Sequence, residues 1–136
     1  TCTCFGQSFE KIIATPNDES PSCTLEDSNF YFVTGIKGNF LSGQYSGIVY
    51  KLSKAGDTLK TITISDCILR FIKSNSGHYF IGGDKIDSNN LQSNYLAEID
   101  TGLNLIWEKN YSIGQPSTLG DLVFLNGEIY FRKHLN

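Results

Sequence analysis

Oxygen-bearing side chains gather in the segment from Gly83 to Asn90, which includes Asp84, Asp87 and Asn89. Carboxylate and amide oxygens are the ligands that calcium takes in proteins. The spacing of an EF-hand loop, in which Asp and Asn alternate before a Gly, is absent here. We therefore predict a solvated loop in which the three residues contact a ligand, with a weak calcium site as the alternative. No other cofactor is predicted.

The chain has four cysteines, of which Cys2 and Cys4 lie at the start and Cys23 and Cys67 further along. No C-x-x-C pair and no Cys/His cluster at zinc spacing occurs, so no metal site is predicted. Two interpretations of Cys23 and Cys67 remain open. A disulfide between them would stabilise the fold by roughly 4 kcal/mol in the chain-entropy model. Alternatively, both are small buried hydrophobic residues in neighbouring inner strands, which we favour.

No catalytic arrangement is recognisable in the sequence. Glu98 and Asp100 share one face of a predicted strand, but nothing else supports a pair of catalytic carboxylates. The G-x-S-x-G turn of serine hydrolases and the glycine-rich phosphate loop are both absent. His78 has no Cys or His beside it and is interpreted as a surface residue. We therefore predict no catalytic residue.

Composition narrows the classes of partner. The formal net charge is −3 over 136 residues, and only 18% of the residues are charged. Nucleic-acid binding needs a basic stripe, whereas the basic residues here are scattered, so no nucleic-acid partner is predicted. No apolar run approaches the roughly 20 residues of a membrane span, so no span is predicted.

The first residues suggest export. The chain begins with Thr, contains no Met, and opens with small residues before Gly6 and Gln7. This pattern is typical of the tail of a secretory signal peptide, and an arbitrary boundary inside a longer protein is the alternative. We expect a secreted protein that is extracellular or held at the cell surface.

The elements that would position these residues recur every 47 to 50 residues. The sequence is SNFYFVTG around Phe32, SGHYFIGG around Phe80 and NGEIYF around Tyr130. Each time a small polar turn precedes an aromatic, β-rich run, and helical periodicity is almost absent. A repeat of this length built of short strands is typical of a β-propeller blade.

The predicted fold is therefore all-β, a partial β-propeller of two complete four-stranded antiparallel blades, the start of a third, and an N-terminal closing strand. Asn, Asp and Gly between the runs favour tight hairpin turns. The predicted divisions are a signal-peptide tail or disordered N-terminus at 1–7, a closing strand at 8–14, blade one at 22–64, blade two at 67–111 and the start of blade three at 119–136.

Two longer loops are predicted between the second and third strands of the blades, at 36–46 and 84–94. Loops on a rigid scaffold commonly carry function. The aromatic residues Phe40 and Tyr45 of the first loop are therefore predicted to contact a ligand, together with the polar residues of the second. Their partner would be an unidentified protein or carbohydrate.

The predicted fourth strands allow a close comparison. NLIWEKNY in the second repeat aligns with DTLKTITI in the first, so that Trp107 falls on Lys60. The opening segment SFEKII is similar to the same strand, with Phe9 on the Trp107 position. Propellers use such a strand to join the first blade to the last, which removes exposed sheet edges.

The segments SGHYFIGG, NYLAEIDTGLNLIWEKNY and, more weakly, SGIVYKLSKAGDTLKTITI resemble the secreted β-propeller repeats common in Bacteroidetes-type bacteria, which are similar to quinoprotein-like and other short-repeat propellers. The likeness covers residues 8–133. Lys60 stands where the repeat prefers Trp, and Ser53 where it prefers Asp. The resemblance implies an N-terminal fragment of a secreted or surface protein, exported by a type IX system. Asp57-Thr58-Leu59 also resembles an O-glycosylation acceptor of these bacteria, which requires Thr58 to be exposed.

Three hypotheses follow from the sequence. The first is a non-catalytic binding or scaffolding propeller that acts through its loops. The alternative is the N-terminal part of a secreted enzyme, either a quinoprotein-like oxidoreductase or a hydrolase, whose active residues lie beyond this chain. The third is a small β-sandwich without a ring.

Overall fold

The structure is a computed structural model that describes residues 18–39, 41–112 and 117–135. Within these ranges the chain consists of strands and turns without a helix, which confirms the all-β prediction. The strands are β1 Asp18–Glu26, β2 Phe30–Asn39, β3 Gln44–Ser53, β4 Thr58–Ser65, β5 Cys67–Asn75, β6 His78–Ile86, β7 Gln92–Ile99, β8 Leu105–Tyr111, β9 Ser117–Leu125 and β10 Glu128–Leu135. Residues 1–7, the predicted closing strand at 8–14 and Phe40 lie outside the described residues.

The strands form three antiparallel sheets in chain order. Sheet 1 contains β1 to β4, sheet 2 contains β5 to β8, and hairpin 3 contains β9 and β10. Within each sheet, every strand pairs with the next one along the chain. The prediction of two four-stranded antiparallel sheets is thereby confirmed.

The prediction of two long loops between second and third strands is wrong. β2 continues to Asn39 and β3 starts at Gln44, so the first connection spans only 40–43. β6 continues to Ile86 and β7 starts at Gln92, which leaves 87–91. The polar residues at the strand ends pair through their backbones, as in Lys85 with Ser93, and backbone pairing does not require apolar side chains.

β-Bulges recur at equivalent positions in the three sheets. The extra residue of the first strand is Ser22 in β1, Arg70 in β5 and Gly120 in β9. Arg70 follows Ser22 by 70 − 22 = 48 residues, and Gly120 follows Arg70 by 120 − 70 = 50. The bulged residues of the fourth strands, Leu59 in β4 and Ile106 in β8, are 106 − 59 = 47 apart. The repeat in the sequence is therefore also a repeat in backbone geometry.

One face of sheet 1 packs against one face of sheet 2. We call the face of a sheet that points to the next sheet along the chain its forward face, and the opposite face its back face. The main core joins the forward face of sheet 1 (Cys23, Leu25, Phe32, Val49, Ile62, Ile64) to the back face of sheet 2 (Leu69, Ile72, Tyr79, Ile81, Tyr95, Ala97, Ile99). β5 lies against β1, β2 and β3.

The same arrangement is used a second time between sheet 2 and hairpin 3. A second cluster joins the forward face of sheet 2 (Phe71, Phe80, Leu96, Trp107, Tyr111) to the back face of hairpin 3 (Leu119, Leu122, Phe124, Ile129). β9 lies against β5, β6 and β7. The three units therefore form a stack in which each presents its back face to the unit before it.

Aromatic contacts hold the first of these junctions. The ring centroids of Phe32 in sheet 1 and Tyr79 in sheet 2 are 5.0 Å apart in an edge-to-face arrangement, which is favourable for aromatic pairs. The Tyr79 hydroxyl also donates a hydrogen bond of 2.5 Å to Asp27, in the turn between β1 and β2.

A single residue, Asp66, connects sheet 1 to sheet 2. Its φ of 55° lies in the left-handed region, which Asp tolerates better than most residues. Its amide donates to the carbonyl of Tyr45 at 3.2 Å, and its carbonyl accepts from the amide of Ile86 at 2.9 Å. The turns at 41–43 and 87–91 lie at the same end of the stack, next to this reversal.

Candidate functional site

At that end, a shallow depression of about 180 Å³ lies between the two turns. It brings together two of the predicted ligand-contact residues, Tyr45 from β3 and Asp87 from the second turn. The depression is lined by Gly43, Gln44, Tyr45, Asp66, Ile68, Ile86, Asp87, Ser88 and Asn90. The lining is mixed: Ile68, Ile86 and the Tyr45 ring supply apolar surface, and the other side chains are mostly polar.

Asp87 fixes the shape of its turn. Its Oδ1 accepts hydrogen bonds from the amides of Asn89 at 2.8 Å and Leu91 at 2.9 Å. Asn90 follows with a φ of 59°, which Asn adopts at low cost. Asn89 is exposed but is not among the residues that line the depression.

Asp84 does not lie in a loop, and the predicted loop position is wrong for this residue. It belongs to β6, and its side chain is 1% exposed. One carboxylate oxygen lies 2.6 Å from Nε of Arg70, and the other accepts a hydrogen bond of 3.0 Å from the amide of Leu119 in β9. Asp84 therefore ties hairpin 3 to sheet 2.

Both cysteines of the main core are free thiols in the structure. Cys67 is fully buried, and burial raises the pKa of its thiol to about 12. Cys23 packs against the same cluster, with its Sγ 3.9 Å from the carbonyl of Ile72 in sheet 2. They lie on neighbouring first strands, β1 and β5.

Lys60 occupies the register position of Trp107, as the sequence alignment predicts. Lys60 pairs with Lys51, and Trp107 pairs with Glu98. The two lysines reach the turn between β7 and β8: Lys60 Nζ lies 2.5 Å from the carbonyl of Gly102, and Lys51 Nζ lies 2.6 Å from that of Thr101. Sequence analysis missed this junction, because its acceptors are backbone carbonyls without a side-chain signal.

In sheet 2 the corresponding positions form a polar bridge. Glu98, 9% exposed, accepts a hydrogen bond of 2.6 Å from Nε1 of Trp107 and lies 2.5 Å from Nδ1 of His78. His78 is largely exposed, as predicted. Thr58 is exposed at the start of β4, so it meets the accessibility that a glycosylation acceptor requires.

A larger groove, of about 490 Å³, lies on the back face of sheet 1. Its apolar floor is formed by Ile48, Tyr50 and Leu52, whose described neighbours, Tyr31 and Val33, also belong to sheet 1. Burial and, to a smaller extent, a hydrogen bond to Glu19 raise the pKa of Tyr50 to about 12. We call this feature the back-face groove.

Within the ranges that the structure describes, no group of three or more His, Cys, Asp or Glu residues could hold a metal ion. The same ranges contain no helix long and apolar enough to cross a membrane.

Comparison of the chain with protein-family models, curated proteins and solved structures finds no match.

Proposed function

We propose that the three sheets are consecutive blades of a β-propeller and that the chain serves as a binding or scaffolding module. Three features support the propeller. The four-stranded meander repeats, the bulges recur at the same register positions, and the forward face of each unit packs on the back face of the next. Propellers are built by such radial repetition of four-stranded sheets.

The proposed ligand site is the depression lined by Tyr45 and Asp87. The observation that carries this proposal is that two turns from different sheets meet there. The backbone of Asp66 bonds to Tyr45 and Ile86, and the carboxylate of Asp87 accepts from two amides of its own turn. A site held on rigid elements loses little conformational entropy when it binds. The aromatic ring with carboxylate and amide groups suits a carbohydrate, or a turn of a protein partner.

We further propose that the protein works outside the cytoplasm, secreted or held at the cell surface. The composition of residues 1–7 and the likeness to secreted propeller repeats support this. Mass spectrometry of the protein isolated from culture supernatant tests it. An N-terminus after the first seven residues is expected, and a protein confined to the cytoplasm would contradict it.

Ligand binding is tested with a glycan array and a phage-displayed peptide library, each probed with the fluorescently labelled chain. Hits are then measured by titration with Tyr45→Ala. Loss of the ring should weaken binding by about tenfold or more. Leu59→Ala is the matched control. Leu59 is exposed at the start of β4, beside the turn between β3 and β4 and away from the depression.

Binding that Tyr45→Ala weakens and Leu59→Ala leaves intact supports the proposed site. Equal affinity of the two variants places the ligand elsewhere and contradicts the site. Absence of any glycan or peptide hit contradicts the binding function itself.

A further inference from the structure

The floor of the back-face groove is buried more deeply than sheet 1 alone explains. Ile48, Tyr50 and Leu52 are 3%, 9% and 3% exposed, yet the apolar neighbours that the structure describes for them, Tyr31 and Val33, lie on the same sheet. Side chains on one face of a sheet stand roughly perpendicular to it, so they shield one another from the side and leave their tips open to water. Burial this deep therefore requires a layer of chain over the face.

The order of the sheets limits which part of the chain can form this layer. The residues outside the described ranges are 1–17, 40, 113–116 and 136. Sheet 2 lies against the forward face of sheet 1, and hairpin 3 lies beyond sheet 2, so 113–116 and 136 are attached on the wrong side of sheet 1. Residue 40 is a single position between two strands of sheet 1 itself. The segment 1–17, which leads directly into β1, is the candidate that is left.

At both described junctions, the strand that precedes a sheet packs on the back face of that sheet. Ile62 and Ile64 of β4 belong to the core on the back face of sheet 2. Trp107 and Tyr111 of β8 belong to the core on the back face of hairpin 3, and the ring centroids of Tyr111 and Phe131 are 5.1 Å apart. The residues that precede β1 have the same place in the repeat, and the face that they would cover is the back face of sheet 1.

The opening segment also has the spacing of β8. Trp107 precedes the bulged residue Gly120 by 120 − 107 = 13 residues. Phe9 precedes the bulged residue Ser22 by 22 − 9 = 13 residues. The likeness of SFEKII to β8 therefore extends to its distance from the sheet that follows.

Equivalent positions indicate which side chains would meet. By the same count Ile13 corresponds to Tyr111. Val33 corresponds to Phe131, because each pairs with the residue two places after the bulge of its sheet, and Val33 lines the groove. The contact of Tyr111 with Phe131 would thus have its counterpart in an aliphatic contact of Ile13 with Val33. Side chains alternate along a strand, so Ile12 would point away from the groove.

We propose that residues 8–14 form a strand that covers the back-face groove of sheet 1, with Phe9 and Ile13 against the groove and Ile12 on the opposite face. The chain then buries the back face of its own first sheet, and the groove is a structural junction. This inference rests on the packing that repeats at the described junctions, and it stands whether or not the depression at Tyr45 binds a ligand.

The first test makes the same change at neighbouring positions of the full chain. Ile13→Asp places a charge on the covered face and should lower the midpoint of thermal unfolding by at least about 5 °C. Ile12→Asp is the matched control and should leave the midpoint close to that of the wild type. Equal midpoints for the two variants, or a larger loss for Ile12→Asp, would overturn the proposed orientation of the strand.

The second test measures the contact in the wild-type chain and needs no variant to fold. A nuclear Overhauser experiment with labelled methyl groups should show cross-peaks between Ile13 and Val33 and none between Ile12 and Val33. Absence of every cross-peak from Ile13 to the groove would contradict the proposal. An isotope-filtered spectrum of mixed labelled and unlabelled chains identifies the occupant: cross-peaks that arise only between chains would show that a second copy covers the groove, and would overturn it as well.

Discussion

Single residues at the junctions determine whether the sheets stay together, and Asp84 is the clearest case. An Asp among polar residues is predicted to be solvent-exposed and to contact a ligand. In the structure, its carboxylate is buried between Arg70 and the amide of Leu119. These partners lie 14 and 35 residues away, and no local pattern reveals them. By contrast, the equivalence of Lys60 and Trp107 is visible in the sequence, because it depends only on spacing from the turns.

Asp84→Asn tests this role. Asn keeps the shape but loses the charge that pairs with Arg70. It has one acceptor oxygen in place of two, so it can accept from Arg70 or from the Leu119 amide but not from both. The free energy of unfolding should fall by about 1–3 kcal/mol. Urea denaturation measures the fall, and hydrogen exchange should show faster exchange of the Leu119 amide.

The control for Asp84→Asn is Asp57→Asn, an exposed residue whose backbone carbonyl accepts from Ser53 and is unaffected by the change. It should leave both measurements unchanged. Equal stability of the two variants would show that Asp84 does not link hairpin 3 to sheet 2.

The raised pKa of a buried tyrosine determines how the free energy of unfolding changes at alkaline pH. Burial and, to a smaller extent, the hydrogen bond to Asp27 raise the pKa of Tyr79 to about 12. The value in an unfolded chain is about 10. Between about pH 10 and pH 12 the folded chain therefore binds more protons than the unfolded one, and the free energy of unfolding falls as pH rises. Below this window the contribution of Tyr79 is fully present.

Tyr79→Phe removes one of these groups. The variant should be less stable near neutral pH, because the bond to Asp27 is lost, and its stability should fall less steeply above about pH 10. Tyr50→Phe provides a comparison, because the pKa of Tyr50 is also raised to about 12, mainly by burial. Identical slopes for the wild type and both variants would contradict this assignment.

Among the elements, the turns and strand cores are predictable and the strand ends are not. Tight turns such as Ser76-Gly77 and Asn126-Gly127 carry residues that adopt positive φ, and the sequence marks them correctly. The segments after Gly35 and Gly83 were predicted as loops, because glycine and polar residues follow the apolar run. In the structure these residues continue the ladder through backbone pairing.

Gly35 and Gly83 have a definite role beside the bulges. A Cβ on Gly35 would lie 2.5 Å from the carbonyl oxygen of Ser20, and a Cβ on Gly83 would collide with that of Ile68. Both carbonyls belong to the backbone just before the bulge of the first strand, so they cannot move aside cheaply.

Gly83→Ala should therefore lower the free energy of unfolding by about 1–3 kcal/mol, the range for overpacking. Thermal unfolding measures the loss. Gly77→Ala is the control. A Cβ on Gly77 would meet no atom within 4 Å, so its effect would come only from the backbone φ of 81° and not from a steric contact. Only Gly83→Ala should also alter the amide shifts of β5 near Arg70, and unchanged shifts there would contradict the close approach.

The whole molecule is a directional stack, and the sequence predicts its units better than their packing. Repeat spacing predicts two four-stranded sheets and the start of a third. Which face of each sheet is buried follows from contacts between distant strands, such as Phe32 with Tyr79, and both faces of these strands are apolar in sequence. Periodicity alone therefore cannot orient one sheet on the next.

The most direct test of the directional stack is a nuclear Overhauser experiment on aromatic side chains with selective labelling. The account predicts cross-peaks between the rings of Phe32 and Tyr79 and between those of Phe80 and Phe124, whose centroids lie 5.0 Å and 5.2 Å apart. Cross-peaks joining Tyr79 to Tyr50, on the opposite face of sheet 1, in place of Phe32 would contradict it.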